Sequence, residues 1–339
     1  MSISEKVWCQ TVLVLQKSFP KLGIGNLCKL FGKSRHAYYD HIWRLRSSDF
    51  VDDIIIQEVL KIREYLPRVG VRKLHFMLLP ILALHDIDIG RDYLFDLLRS
   101  QGLLVRSRRR NVKTTNSRHH FYKYPNIING LDINRPEQVW VSDITYVRVL
   151  DKWGYLSLVT DAYSRKIMGY CFRGDMTTIG CVHALEMAVN NREWLNLPLI
   201  HHSDRGTQYC SSLYVDKLII NNIAISMTEK GSPYENALAE RVNGILKGEF
   251  EFYSQNLSFS EMSLHVTRSI NSYNNIRPHS SCDYLTPSEA HRQNTSLRKR
   301  WTAYSKNYDV TEKELMELTN EEDLNSSSEI ITFEEQYTV

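Results

Sequence analysis

A mixed five-stranded α/β sheet with flanking helices, preceded by small all-α modules, is the fold class that three features of this 339-residue sequence predict. Three β-rich runs follow one another between residues 138 and 174 across short turns, the pattern of an antiparallel meander. After them helical and strand-like runs alternate, which adds strands to the sheet and helices to its faces. Before residue 105 the apolar residues recur at intervals of three and four, the helical period.

The helical front is read in order. Residues 8 to 19 and 24 to 45 predict short helices separated by Pro20 and Gly23. The second stretch has an apolar face of Ile24, Leu27, Leu30 and Phe31, then a Gly32-Lys33 turn. Ser34 follows as an N-cap to a helix bearing Arg35, His36, Tyr38 and Tyr39. A helix, a glycine turn and a polar-fronted second helix make a helix-turn-helix pattern, whose second helix can enter a major groove; an αα-hairpin that only packs has the same signature. Residues 52 to 66 predict a strong amphipathic helix through Ile55, Val59, Ile62 and Leu66, stopped by Pro67 and Gly70. Helices at about 71 to 82 and 90 to 101 complete a second unit of the same type, the last ending at Gly102.

Charge divides the chain as well. Its net charge of +3 would not suggest a nucleic-acid binder, but residues 1 to 125 carry 22 Lys/Arg against 11 Asp/Glu, residues 126 to 293 carry 15 against 18, and residues 294 to 339 carry 5 against 10. The basic excess peaks in a polar linker with Arg106, Arg108, Arg109, Arg110 and Lys113, too polar to fold alone. Such a segment can lie along phosphates and release counterions, or serve as a solvated tether. The expected boundaries are 1–50 and 51–105 for the two helical modules, 106–134 for the linker, 135–255 for the α/β body, 256–308 for a helical extension and 309–339 for an acidic, partly disordered tail. Six scattered cysteines give neither a zinc ribbon nor a disulfide framework. No secretory signal or membrane span is expected, so the predicted location is the cytoplasm.

Within the body, strands are predicted at 139–150, 154–163 and 165–174, a helix from Thr177 to Asn191, a short strand LPLIHHSD, a helix around 211–221, a strand IAISM and a helix from about Tyr234 to Phe252. Three acids stand out. Asp143 sits mid-strand among apolar residues, where Asp is disfavoured. Asp204 ends a buried-looking strand, a place where α/β folds present functional groups. Glu240 lies on a helix, with 35 residues between it and Asp204. At 100° per residue Asn236, Glu240, Asn243 and Lys247 share one stripe, and Leu238, Val242, Ile245 and Leu246 lie opposite. Converging carboxylates of this kind can hold two Mg²⁺ ions for phosphoryl displacement, with the lysine holding a phosphate. Each acid also has a plain alternative: a strand salt bridge, a turn cap, a solvated helix residue. Asp161 is read as structural. Adjacent His201 and His202 point to opposite faces, and His202 is the one that could support the acids.

WVSDITYV around Asp143, HSDRGTQY around Asp204, SPYENALAERVNGILKGEF around Glu240 and YNNIRPHSSCDYLTPSEA further on resemble, in order and spacing, the DDE transposases of bacterial insertion sequences. Their core is related to retroviral integrases and has a ribonuclease-H-like fold. The resemblance spans about residues 25 to 293. It implies that Asp143, Asp204 and Glu240 are the metal-binding catalytic triad, using two Mg²⁺ ions for which Mn²⁺ can substitute. It implies that Lys247 contacts the transposon end; Asn236 and Asn243 on the same stripe, Arg35 of the helix-turn-helix and Arg106, Arg108, Arg109, Arg110 and Lys113 of the linker are expected as further DNA contacts. The implied reaction hydrolyses a transposon end to expose a 3′-OH, which then attacks a phosphodiester. The implied partners are double-stranded DNA, both terminal inverted repeats and target, and further copies of the chain in a dimer or larger assembly. Fusion to, or cooperation with, an upstream-frame helix-turn-helix and coiled-coil protein is also implied, as is association with the bacterial nucleoid. The role of the Tyr273, Asn274, Arg277, Pro278 and His279 group stays open between packing and DNA contact.

Overall fold

A computed structural model describes residues 5–105, 121–150, 152–229, 236–253, 256–293 and 297, with the backbone alone at 5–6 and 42–48. The linker arginines from 106 and Lys113, Asp151, the segment 230–235 and the acidic tail lie outside the described residues. The chain divides into two compact units, residues 1–62 with 74–104, and residues 63–73 with 105–339.

The first unit is helical: α1 (Glu5–Ser18), α2 (Ile24–Lys29), α3 (Arg35–Tyr65), α4 (Val71–Ala83) and α5 (Arg91–Ser100). Trp8, Cys9 and Val12 of α1 close over Leu27 and Cys28 of α2 and Tyr38 of α3. The turn between α2 and α3 needs a left-handed residue, supplied by Gly32 at φ 66°, and the Ser34 hydroxyl accepts the Ala37 N–H at 3.0 Å as the cap of α3. Arg35 and Tyr39 face solvent at the start of that helix, with the guanidinium 5.6 Å from the ring centre. A break expected near residue 50 is not there: α3 runs unbroken for 31 residues. No glycine or proline interrupts residues 35 to 65, so the two predicted helices fuse.

The second unit is built on β1 (Val139–Val149), β2 (Lys152–Asp161), β3 (Ile167–Arg173), β4 (Leu199–Ser203) and β5 (Ile223–Met227), in the order β3-β2-β1-β4-β5. β1, β2 and β3 form the antiparallel meander, while β4 and β5 run parallel to β1. This is the ribonuclease-H-like α/β arrangement that the sequence predicts. On one face α6 (Thr178–Asn190) and α8 (Ser212–Ile220) cover Trp140, Val159 and Met168; on the other, Val139, Val141, Ile200 and Ala224 pack with Ala239 of α9 (Ala237–Glu249). Gly169 lets α6 lie directly on β3, since a Cβ there would stand 2.0 Å from the Ala184 carbonyl oxygen. The α10 helix (Phe259–Asn275) and the short α11 (Pro287–Arg292) complete the unit, each begun by a capping box. The short α7 (Thr207–Cys210), immediately after Asp204, is an element that the sequence reading does not predict.

Candidate active site

Asp143 owes its setting to where one strand stops. β4 pairs with β1 only from Val139 to Ser142, and among the described strands β1 continues alone on that side from Asp143 to Val149. Asp143 is therefore the first residue past the shared ladder, partly buried. Its Oδ1 accepts the Ile144 N–H at 2.9 Å and its Oδ2 accepts the Asn243 side-chain N–H at 2.8 Å.

Asp204 follows the last residue of β4, which lies beside Ser142 in the register. Alternation along parallel strands puts Val141, Asp143, His202 and Asp204 on the face beneath α9. The Asp204 Oδ1 accepts the Gly206 N–H at 3.0 Å, and a Cβ on Gly206 would meet that oxygen at 3.0 Å. Glycine thus lets the turn close around the carboxylate.

Helix α9 supplies the third acid. Its Asn236 N–H donates to the Ser142 carbonyl at 3.1 Å and its Asn243 to Asp143, which fixes the helix across β1 with Glu240 between them, exposed at the rim. One turn further the half-buried Lys247 ammonium stands 5.2 Å from the Tyr253 ring centre, and burial holds its pKa below the usual lysine range.

These placements make an electrostatic unit. Burial, then the charge of Asp204, with a smaller push from Glu240, raises the Asp143 carboxyl to about 7, against the pull of Asn243 and the Ile144 N–H. Among the described residues no three His, Cys, Asp or Glu side chains form a ready-made metal cage. The donor set nevertheless fits a hard divalent cation: it is carboxylate oxygen whose mutual repulsion a cation cancels. The Oδ1 atoms of Asn236 and Asn243 are also buried there without a hydrogen-bond partner.

Asn236 and Asn243, expected on a DNA-facing stripe, are only 5% exposed and spend their amides on β1. The stripe geometry assumes one buried side, whereas α9 buries Val242 and Leu246 as well. His202 lies on the acids' face, and its Nδ1 is 2.8 Å from the Ser226 hydroxyl. His201 turns away to Ser142 and Tyr214, and burial lowers its pKa to about 3, so it is neutral.

Two structural groups explain motifs that sequence leaves open. Asn274 clasps both backbone groups of Ile167, Arg277 makes two 2.7 Å bonds to Glu249 at the end of α9, and Tyr273 and His279 are buried beside it. That group packs the body. Segment 63–73 joins the same cluster, with Arg68 paired to Glu251 and Lys73 to Glu249. Asp161 accepts from Ser164 and from the Glu137 N–H, and fully buried His291 lies between the Asp161 and Glu137 carboxylates. Burial alone would raise the Asp161 pKa, but His291 and Ser164 hold it down. Sequence reading passes over Glu137 and His291, because neither sits in a pattern that separates a buried ion pair from a surface charge.

Comparison with known proteins bears on the family. Two models described as integrase core domain match residues 133–233 and 221–287. The chain is 32% identical over 268 residues to the 31 kDa protein of insertion element IS600 of Shigella sonnei, covering 77% of this chain and 96% of that one. It is 34% identical over 201 residues to transposase InsF of insertion sequence IS3fB of Escherichia coli K12, covering 58% and 69% respectively. The chain belongs to the insertion-sequence transposases. Another relative, the transposase of IS629 of Shigella sonnei, is 28% identical over 82% of this transposase and 95% of its own length. The HTLV-2 integrase catalytic core domain, solved with magnesium, aligns with a TM-score of 0.38 at 20% identity, over 48% of this transposase and 99% of that domain. The integrase-core span of this transposase contains Asp143, Asp204 and Glu240. No helix among its described residues is long and apolar enough to cross a membrane.

Proposed function

We propose that this transposase hydrolyses the end of its element and joins the exposed 3′-OH to target DNA, at a site formed by Asp143, Asp204 and Glu240. The observation that carries the reading is the raised Asp143 carboxyl, pushed up by burial and by Asp204 and Glu240. Acids that repel one another at the end of a strand, with no cation among them, mark a site where charge is put to use. The three carboxylates would hold divalent cations, Mg²⁺ or Mn²⁺, which when bound activate the attacking oxygen and stabilise the leaving one. Asn243 orients the Asp143 carboxylate, and Gly206 orients that of Asp204. Exposed Glu240 closes on the site without repacking the core. Lys247, steadied over Tyr253, meets a phosphate of the bound end as a point charge. Hydrolysis and joining are both in-line displacements at phosphorus, so one set of acids serves both.

Double-stranded DNA, as terminal repeats and as target, is held further by Arg35 and by the linker residues Arg106, Arg108, Arg109, Arg110 and Lys113. Two ends must be brought together, so the working form is a dimer or larger assembly on the nucleoid, alone or fused to an upstream-frame helix-turn-helix and coiled-coil protein. The test incubates purified protein with a labelled element end and Mg²⁺. Nicking and joined product from wild type, both lost in Asp204→Ala with DNA binding retained, are expected. Binding without nicking by wild type would make the chain a silent DNA-binding regulator. Hydrolysis of a pre-cleaved end without joining would make it a nuclease.

A further inference from the structure

The β1–β2 ribbon carries aromatic side chains that the proposed chemistry does not use. Tyr146 lies opposite Tyr155 in the register and Arg148 opposite Trp153, so all four share one face. The Tyr146 ring centre is 5.3 Å from that of Tyr155 and 6.2 Å from that of Trp153, nearly perpendicular to the latter. Trp153 is 50% exposed and Met176, which accepts from the Tyr146 hydroxyl through its sulfur, 43%. An exposed tryptophan against two half-buried tyrosines on a strand ribbon is a surface that water solvates poorly.

Its position and charge say what covers it. Tyr146 is three residues along β1 from Asp143, about 10 Å, and that odd spacing turns its side chain to the opposite face of the sheet, so the ribbon is reached from the acids around the end of the β1–β4 ladder. The Asp204 side of the site reaches it too, because Gln208 donates to the Met176 carbonyl at 3.2 Å. Arg148 is exposed on the face of the rings, while the neighbouring Asp175 is already neutralised by two bonds from Arg173. Rings beside a cation are the pairing that unpaired nucleotides require: stacking for the base, positive charge for the phosphate. Beyond Ser142 nothing pairs with β1 on its β4 side among the described strands, so a nucleic-acid strand can cross from the acids to the ribbon.

We propose that Trp153, Tyr146 and Tyr155 form a stacking platform for unpaired DNA bases within a few nucleotides of the scissile phosphate, with Arg148 holding the adjoining backbone. The inference rests on the transposase chemistry above and adds a preference for ends that are frayed or single-stranded next to the cut.

Fluorescence-anisotropy titration in EDTA, using element-end duplexes with and without a three-nucleotide unpaired tail, tests it apart from catalysis. Wild type is expected to bind the tailed end about tenfold or more tightly. Trp153→Ala and Tyr146→Ala should each lose about tenfold on the tailed end and leave the blunt end unchanged, and Trp153→Phe should restore the preference. Circular dichroism checks that these exposed positions leave the fold intact. No tail preference in wild type, an equal loss on both ends, or no loss on either overturns the platform. Nicking of the blunt end in Mg²⁺ by wild type reports separately on the acids, so the platform can fail while the transposase chemistry stands.

Discussion

Replacing Asp143 with asparagine should make the metal-free protein more stable at alkaline pH while removing its activity. The Asp143 carboxyl rises from an ordinary 3.8 to about 7, chiefly through burial and the charge of Asp204. About three pKa units at ~1.4 kcal/mol each is ~4 kcal/mol against the ionised form. Asp143 is partly open to solvent, so about half of that, ~2 kcal/mol, is a fair figure. The amide offers one acceptor oxygen where the carboxylate serves both Ile144 and Asn243, and the lost hydrogen bond returns ~1 kcal/mol. The net gain is ~1 kcal/mol at pH 8, or about 2–4 °C in Tm for a unit of this size. The sign follows from linkage. Between 3.8 and about 7 the native Asp143 binds more protons than the unfolded one, so wild-type stability falls as pH rises through that window. Asparagine does not titrate, so its advantage should vanish near pH 5 and grow by ~1–1.5 kcal/mol by pH 8. Thermal unfolding in EDTA at pH 5, 6.5 and 8, at fixed protein concentration, measures it. A variant less stable than wild type at pH 8, or a difference that does not change with pH, refutes the reasoning.

Other perturbations test the surroundings. Gly169→Ala drives a methyl into the Ala184 carbonyl and the Ala188 N–H and should cost about 3 kcal/mol or more, read from the urea midpoint. His291→Ala leaves two buried carboxylates facing each other and should cost about 3–5 kcal/mol. Burial lowers the His291 pKa, but Asp161 and Glu137 outweigh it, so the stabilisation should be full below about 6.5 and fade as pH rises through the raised folded value. A wild-type stability difference over the variant that grows with pH contradicts that sign. Asn243→Ala removes a bond that lowers the Asp143 pKa, so the acid limb of the rate–pH profile should move up by about one unit. Changing Arg106, Arg108, Arg109 and Arg110 to Gln should flatten the salt dependence of DNA binding by about 0.9 in log–log slope for each phosphate that is no longer neutralised.

The legible parts of the chain are those where local chemistry has few alternatives. An Asp in the middle of a Val/Ile/Tyr-rich strand contradicts strand propensity, and that contradiction marks Asp143 without any knowledge of its neighbours in space. The five strands and the antiparallel meander of the first three follow from turn residues and alternation. What escapes is set by packing. Nothing in residues 35–65 announces that two amphipathic stretches share one helix, because the absence of a breaker is a weak signal. The α9 stripe is legible, but its orientation is not: the angles separate two faces without saying that both are covered, one by core and one by β1. Glu137 and His291 are 154 positions apart, and their pairing exists only once α11 docks. The Tyr273 to His279 group is visible as a motif but its role is not, since its partners Ile167 and Glu249 belong to elements that the sequence does not bring together.

The early end of β4 accounts for most of the site. Because its ladder with β1 stops at Ser142, Asp204 emerges into a turn beside Asp143 instead of continuing as a strand residue. Among the described strands, the same stop leaves the far half of β1 without a ladder partner on one side, a liability that invites another strand. Exposed Arg148 and Lys152 on that ribbon oppose such pairing and favour a phosphate backbone in its place. Asn236 and Asn243 hold α9 across β1 at the point where the ladder ends, so Glu240 is delivered to the opening. Extending β4 by two residues would pair Asp143 and Asp204 into the sheet, seal the edge and remove the opening together. The acids, the exposed ribbon and the seating of α9 are consequences of one strand length.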